Sequence, residues 1–153
     1  GLKMAYFGDG NNMANSLMIG GAKVGMQVVI CSPEGYQPDP EIVKEAAQFG
    51  DVKVTADVDE AIRDCDVIYT DVFFSMGQEK SPEEVNALMP YQVNAELMAK
   101  AAKNAVFLHC LPAHRGEEVT ADVIDGAQSI VFEEAENRLH AQKAVLYLLM
   151  KKR

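Results

Sequence analysis

The sequence predicts an α/β domain in three layers, a doubly wound arrangement with helices on both faces of a mainly parallel five-stranded sheet. Three observations predict it. Short β-rich apolar runs alternate with helical stretches five times along the chain, the pattern left by a parallel sheet with crossover helices. The runs end abruptly in glycine or in polar, reactive residues, as buried parallel strands do where they leave the sheet. The 153 residues, 48% of them apolar, amount to about one domain with a single sizeable core.

Met4-Ala5-Tyr6-Phe7 reads as the first strand; Gly8-Asp9-Gly10-Asn11-Asn12 follows as a tight turn, and Met13 to Val24 has helical character. The Gly-x-Gly opening suggests a dinucleotide fingerprint, whose glycines let a backbone approach pyrophosphate. Met13 replaces the third glycine, however, and the second strand, Gln27 to Ile30, ends in Cys31-Ser32-Pro33 where an acidic ribose ligand belongs. Nicotinamide binding is therefore the minor reading, and no cofactor is expected. What remains is a helix N-terminus with free N–H groups and two amides, Asn11 and Asn12, well suited to a carboxylate. One of the two is expected to be the N-cap.

A proline-punctuated loop, Pro33 to Pro40, leads to a helix from Glu41 to Phe49, closed by Gly50. Val52-Lys53-Val54-Thr55 is a short alternating strand, and Asp57 caps a short helix that runs to Arg63. Asp66 to Thr70 forms the next strand, with Asp71 at its exit and a structural Cys65 before it. The connection from Val72 to Met89 is long and carries Phe73-Phe74-Ser75-Met76-Gly77 and then the charged run Gln78 to Glu84. Connections of that length in compact domains are often lids or binding loops.

Beyond Pro90, Gln92 to Lys103 reads as a helix with Val93, Leu97 and Ala101 on its apolar face, ended by Asn104. The strand Ala105 to Leu108 then delivers His109-Cys110-Leu111-Pro112-Ala113-His114-Arg115-Gly116, where a cis Leu111–Pro112 bond is one way to fix the turn. Thr120 to Ile124 is a short helix, capped by Thr120 and stopped by Gly126. Ser129 to Phe132 reads as the last strand, Glu133 to Arg138 as its exit, and Leu139 to Met150 as a terminal helix.

With right-handed crossovers and the first strand central, the strand order is 3-2-1-4-5, a Rossmann-like topology. That order gathers Asn12, Asp71, Cys110 and Arg138 around one crevice at the switch point. A carboxylate at Asp71 can accept from a substrate ammonium, and Arg138 is a permanently charged fork suited to a carbonyl oxygen. Cys110 becomes reactive if neighbouring cations or a helix N-terminus favour its thiolate.

Composition narrows the partners. A formal charge of −9 without a basic stripe argues against nucleic acid. No apolar run reaches membrane-spanning length and the first residues lack the body of a secretion signal, so a soluble protein is expected. Three cysteines without a Cys-x-x-Cys spacing suit a reducing, cytoplasmic compartment. His109, Cys110 and His114 lack a second ligand pair in register, so no metal is expected.

Taken together, Gly8-Asp9-Gly10-Asn11-Asn12, Asp71, Ser75-Met76-Gly77, His109-Cys110-Leu111-Pro112 and Glu136-Asn137-Arg138 resemble the C-terminal, ornithine-binding domain of the ornithine carbamoyltransferase family. The resemblance covers essentially residues 1–153, and its motifs are jointly specific although each alone is weak. It implies a single ornithine-binding-type domain. It also implies a reaction in which the unprotonated side-chain amine of L-ornithine attacks the carbonyl carbon of carbamoyl phosphate, giving citrulline and phosphate. By resemblance, Asn12, Asp71, Ser75 and the Met76 backbone hold the α-amino and carboxylate groups of ornithine. Cys110 and the Leu111 carbonyl lie near the reacting groups, Arg138 takes the carbonyl oxygen, and Cys110, Asp71 and Arg138 are the catalytic set.

The sequence holds no Ser-x-Arg-Thr phosphate loop and no His-Pro-x-Gln segment, features that the family carries in its N-terminal carbamoyl-phosphate domain. An isolated, inactive ornithine-binding half is therefore expected, with weak ornithine binding and carbamoyl phosphate bound only when the other domain is supplied. A nucleotide-binding oxidoreductase domain and a folded scaffold without ligand are the alternatives. The terminal helix is apolar around most of its circumference at Leu139, Ala141, Ala144, Val145, Leu146, Leu148, Leu149 and Met150, so self-association near Val145 to Met150 is expected.

Overall fold

A computed structural model describes residues 1–74 and 81–151. The Ser75-Met76-Gly77 loop and the last two residues lie outside the described residues. The elements are β1 (Lys3–Phe7), α1 (Asn12–Lys23), β2 (Gln27–Cys31), α2 (Pro40–Ala46), β3 (Val52–Thr55), α3 (Val58–Ile62), β4 (Val67–Thr70), α4 (Pro82–Leu88), a 3₁₀ turn (Met89–Tyr91), α5 (Ala95–Ala99), β5 (Val106–His109), α6 (Ala121–Ile124) and α7 (Val131–Met150).

The five strands make one parallel sheet in the order β3-β2-β1-β4-β5, as the alternation of elements predicts. In register, Phe7 lies beside Cys31 on one side and Thr70 on the other, and Thr70 lies beside His109. All strand exits therefore meet at one edge, and the topological switch point lies between β1 and β4, from which the chain winds outward in both directions.

Alternation along the strands feeds two separate cores, because successive side chains point to opposite faces. Ala5, Phe7, Val29, Cys31, Ile68 and Phe107 pack on the side of α3, α5 and α6. Met4, Tyr6, Val28, Ile30, Val67 and Tyr69 pack against Ala14 and Met18 of α1 and Ala46 of α2. Burying each large apolar chain contributes roughly 1.5–3 kcal/mol.

Local caps start the helices where the sequence carries Asn, Asp or Ser. Asn11 is the N-cap of α1, accepting the Met13 N–H at 3.1 Å; Asp57 accepts the Glu60 N–H at 3.0 Å to start α3. Gly8 adopts φ 129°, open to residues without a Cβ. A Cβ on Gly10 would meet the Pro38 nitrogen at 2.4 Å. The Gly-x-Gly turn is thus explained by its own backbone conformation and by close packing against the 36–38 loop.

Three sequence readings are corrected. Ser129–Phe132 is not a strand: the sheet gains only an isolated bridge between Phe107 and Ser129, and the chain enters α7 at Val131. Glu133 and Glu134 in the first helical turn favour that start, since carboxylates stabilise a helix N-terminus. The helix expected at Gln92–Lys103 shrinks to α5, because Val93 bridges to Val119 and Asn94 then caps the helix through the Leu97 N–H at 2.9 Å. The long connection contains α4, begun by a capping box in which Ser81 and Glu84 each accept the other's backbone N–H. No helix among the described residues is long and apolar enough to cross a membrane.

Candidate active site

Three of the exits on the carboxyl edge deliver side chains that bear on the site. Asp9 leaves β1, Asp71 leaves β4 and Cys110 leaves β5, while Asn12 is the exposed first residue of α1. Asp71 Oδ1 accepts the Val72 N–H at 2.8 Å and the Cys110 thiol at 3.1 Å. These two expected site residues therefore touch.

Cys110 and Leu111 also line a cavity of about 470 Å³ together with Met13, Tyr69, His109, Glu134, Ala135 and Arg138. Arg138 reaches the edge from α7, two turns into one continuous helix rather than from a strand exit. Asn12 is not among the residues lining this cavity, but its neighbour Met13 is. Ser75 and Met76 lie outside the described residues.

The first turn of α7 is fastened to the sheet by Glu134. Its carboxylate accepts the Tyr69 hydroxyl and, at 3.0 Å, the His109 N–H. Glu134 precedes Arg138 by four positions, so both emerge on the same side of α7. Tyr69 and Glu134 were missed by the sequence reading. The available signal was that four-residue spacing in the acidic run, together with a strand tyrosine next to the exit.

The turn after β5 has unusual backbone geometry. Leu111 adopts φ 55° and the Leu111–Pro112 bond is cis. The Leu111 N–H donates to His109 Nδ1 at 2.8 Å, and His109 Nε2 lies 3.3 Å from Glu118 Oε1. That second approach brings the atoms close without hydrogen-bond alignment, since Nε2 has no hydrogen-bond partner among the described residues.

The electrostatics set the protonation of the thiol. Burial pushes the Cys110 thiol up from 9.0 to about 12, assisted by its hydrogen bond to Asp71 and by the charges of Asp71 and Glu134. It is therefore a neutral S–H donor at physiological pH, and the reactive thiolate considered from the sequence is not favoured here. Burial likewise raises Asp9, with Asp71 and Glu84 adding to the shift. With one guanidinium facing several carboxylates, the crevice favours a ligand bearing an ammonium group.

Two groups of ligand-type atoms gather within 4.8 Å: Asp71, His109 and Cys110, and His114, Glu117 and Glu118. In the first, Nδ1 of His109 already accepts Leu111, and Asp71 holds a protonated thiol. The geometry of that first group is explained by contacts within the protein.

The parallel sheet, its switch point and the polar edge above it define a Rossmann-like ligand-binding domain. The family model "Aspartate/ornithine carbamoyltransferase, Asp/Orn binding domain" matches residues 1–149. The ornithine carbamoyltransferase of Symbiobacterium thermophilum is 60% identical over 98% of the chain and 50% of its own length. That of Thermococcus kodakarensis is 56% identical over the same shares. The structure of ornithine carbamoyltransferase from Pyrococcus furiosus superposes with a TM-score of 0.91 at 53% identity, covering 97% of this chain and 49% of that one. The chain belongs to the aspartate/ornithine carbamoyltransferase family. It spans about half the length of the curated relatives it matches. The nucleotide-binding alternative finds no support among these relatives.

Proposed function

We propose that the chain is the ornithine-binding half of an ornithine carbamoyltransferase, which transfers the carbamoyl group of carbamoyl phosphate to the side-chain amine of L-ornithine. The observation that carries this reading is the contact of Asp71 with the Cys110 thiol at 3.1 Å, next to a cavity that Cys110 lines together with Arg138. Asp71 takes the α-ammonium of ornithine, and Asn12 with Ser75 and the Met76 backbone takes its carboxylate and amino group. The Cys110 S–H and the Leu111 carbonyl face the reacting amine. Arg138 receives the carbonyl oxygen, on which negative charge grows as the amine adds and the carbon becomes tetrahedral. Collapse expels phosphate and leaves citrulline.

The sequence supplies one strong cation to this edge and no phosphate loop, so the carbamoyl phosphate is held by residues from outside these 153. Positioning and charge stabilisation of the phosphate are large sources of rate in such a transfer. By itself the chain binds ornithine weakly and makes no citrulline. The apolar surface at the end of α7 is covered by self-association when the chain is alone.

A citrulline assay tests the reading: purified chain with ornithine and carbamoyl phosphate, with and without a separately supplied carbamoyl-phosphate domain. Product is expected only with both halves. Turnover by the chain alone, surviving removal of contaminating full-length enzyme, overturns the inactivity. No turnover by both halves, combined with no calorimetric heat from ornithine, overturns the assignment.

A further inference from the structure

We propose that His114, Glu117 and Glu118 form a binding site for a divalent transition-metal ion, zinc being the best suited, in the turn between β5 and α6. One ligand-type atom from each of the three lies within 4.8 Å of the others. The sequence grouped His114 with His109 and Cys110; the fold gathers it with the two acids instead. The cause is local. The Glu117 N–H donates to the His114 carbonyl at 3.0 Å, closing a turn in which Gly116 takes φ 91°, a conformation that suits glycine at the third place of a tight turn. The Gln92 side chain donates to the Glu117 carbonyl at 2.7 Å, and the Val93 N–H to the Glu118 carbonyl at 2.9 Å. The three donors therefore stand on a backbone pinned to the neighbouring segment.

The observation that points to a ligand is Glu118. Its side chain is fully buried, and its Oε2 has no hydrogen-bond partner among the described residues. A buried carboxylate oxygen in that condition is costly unless a cation satisfies it. The other oxygen, Oε1, is engaged by the His114 N–H. Oε2 lies 3.9 Å from His114 Nδ1, too far for a hydrogen bond and close to the span of two ligands on one metal ion. Ligands about 2.1 Å from a tetrahedral zinc stand about 3.4 Å apart, so a movement of roughly half an ångström closes the pair. His114 is free to make that movement, since its side chain is 47% exposed.

Charge favours the same occupant. Neighbouring carboxylates repel unless a cation lies between them, and among the described residues no lysine or arginine pairs with Glu118. The guanidinium of Arg115, in the same turn, is engaged by both oxygens of Asp125 at 2.9 and 2.6 Å. One imidazole with two carboxylates suits zinc and its transition-metal neighbours, whereas magnesium and calcium prefer sets made of oxygen alone. Three protein ligands leave a position for water. A bound ion ties the half-exposed His114 to a buried acid and stiffens the turn. It takes no part in carbamoyl transfer, and the inference does not rest on the proposed function.

The test uses the whole 153-residue chain, stripped of metal with a chelator and titrated with zinc chloride in a calorimeter. Two other places offer zinc a ligand, the Cys110 thiol beside Asp71 and His140 near Glu136 on α7. The titration is therefore run in a chain carrying Cys110→Ser and His140→Ala, with thermal melts confirming that each variant folds. One zinc per chain is expected there, not displaced by magnesium or calcium. Loss of a group behind a metal ligand typically costs about 10- to 100-fold in affinity, so removing a ligand outright by His114→Ala, Glu117→Gln or Glu118→Gln should cost at least about tenfold. Absence of zinc binding in that chain overturns the site, as does binding that His114→Ala leaves unmoved. Full affinity in both acid variants, with loss only in His114→Ala, reduces the site to a lone surface histidine and refutes it equally. A measurement without any substitution guards against misfolding: in ¹⁵N spectra of the parent chain, zinc should shift the His114 Nδ1 resonance, and a ring unperturbed at saturating zinc sinks the proposal.

Discussion

The Cys110 thiol donates to Asp71 Oδ1 at 3.1 Å across 39 positions of sequence, a contact made possible because β4 and β5 lie side by side with Thr70 in register with His109. A neutral thiol held on a carboxylate leaves the other carboxylate oxygen for a ligand cation. The pair is an ammonium acceptor with a fixed geometry rather than a nucleophile.

Removing the acid should therefore be felt twice. A hydrogen bond to a charged group contributes roughly 1.5–3 kcal/mol, so Asp71→Ala is expected to weaken ornithine binding about 10- to 100-fold in titration calorimetry. The parent constant itself should be weaker than micromolar, since an isolated half bears the full cost of ordering its binding loop. Iodoacetamide should also reach Cys110 faster in this variant, because a contact and a charge that keep the thiol protonated are gone. An unchanged ornithine affinity removes Asp71 from the site.

Arg138 is expected to act on the transition state and little on ornithine. Deleting a donor to a developing oxyanion commonly costs about 10²–10³ in rate. Arg138→Ala should lower kcat by about that factor in the reconstituted two-part enzyme, leaving the calorimetric ornithine constant of the chain within about threefold. Loss of ornithine binding with kcat unchanged would assign Arg138 to the substrate instead.

The outer half of α7 exposes Leu139, Val145, Leu146, Tyr147, Leu148, Leu149 and Met150, the last three each more than 70% exposed. Each such side chain forfeits roughly 1.5–3 kcal/mol of burial, a large amount against a domain stability of about 5–15 kcal/mol. The chain should self-associate as concentration rises, most simply as a two-fold dimer. Light scattering over a concentration series checks it. Leu146→Glu or Leu149→Glu should return a monomer, and a parent that stays monomeric at high concentration disproves the idea.

Alkaline pH should destabilise the fold through its buried thiols. Burial raises Cys31 from 9.0 to about 12 and Cys65 from 9.0 to about 11, and Cys110 moves in the same direction to about 12. A group with a raised folded value contributes stability that is complete below its unfolded value and lost as pH climbs through the folded one. Above about pH 9 the unfolded chain releases these protons first and binds fewer than the native state, so stability falls with rising pH. Urea midpoints should be level near neutrality and decline above about pH 9. A midpoint that climbs across that range contradicts the shifts.

Much of this was legible before any coordinates. The strand order followed from alternation and handedness, and Asp71, Cys110 and Arg138 were named from strand exits and motif residues. Asn11 and Asn12 could not be told apart, because either can cap a helix; the Met13 N–H settles it for Asn11. The Ser81-Pro82-Glu83-Glu84 start of α4 was readable as a capping box and was passed over inside a long connection. Ser129 to Phe132 misled because a β-branched run is also what a helix start looks like when a single bridge has already satisfied its backbone.

The sequence by itself determined the periodicities, the caps and the order of the strands, since these depend on neighbours within a few positions and on the twist shared by all L-chains. Only the tertiary structure decided which polar groups meet. Glu118 comes to lie beside His109, Glu134 clamps Tyr69 and the His109 N–H, and Cys110 loses its prospect of ionisation beside Asp71. Each of those outcomes depends on burial and on distances of about 3 Å between residues far apart in the chain, where desolvation and charge act together.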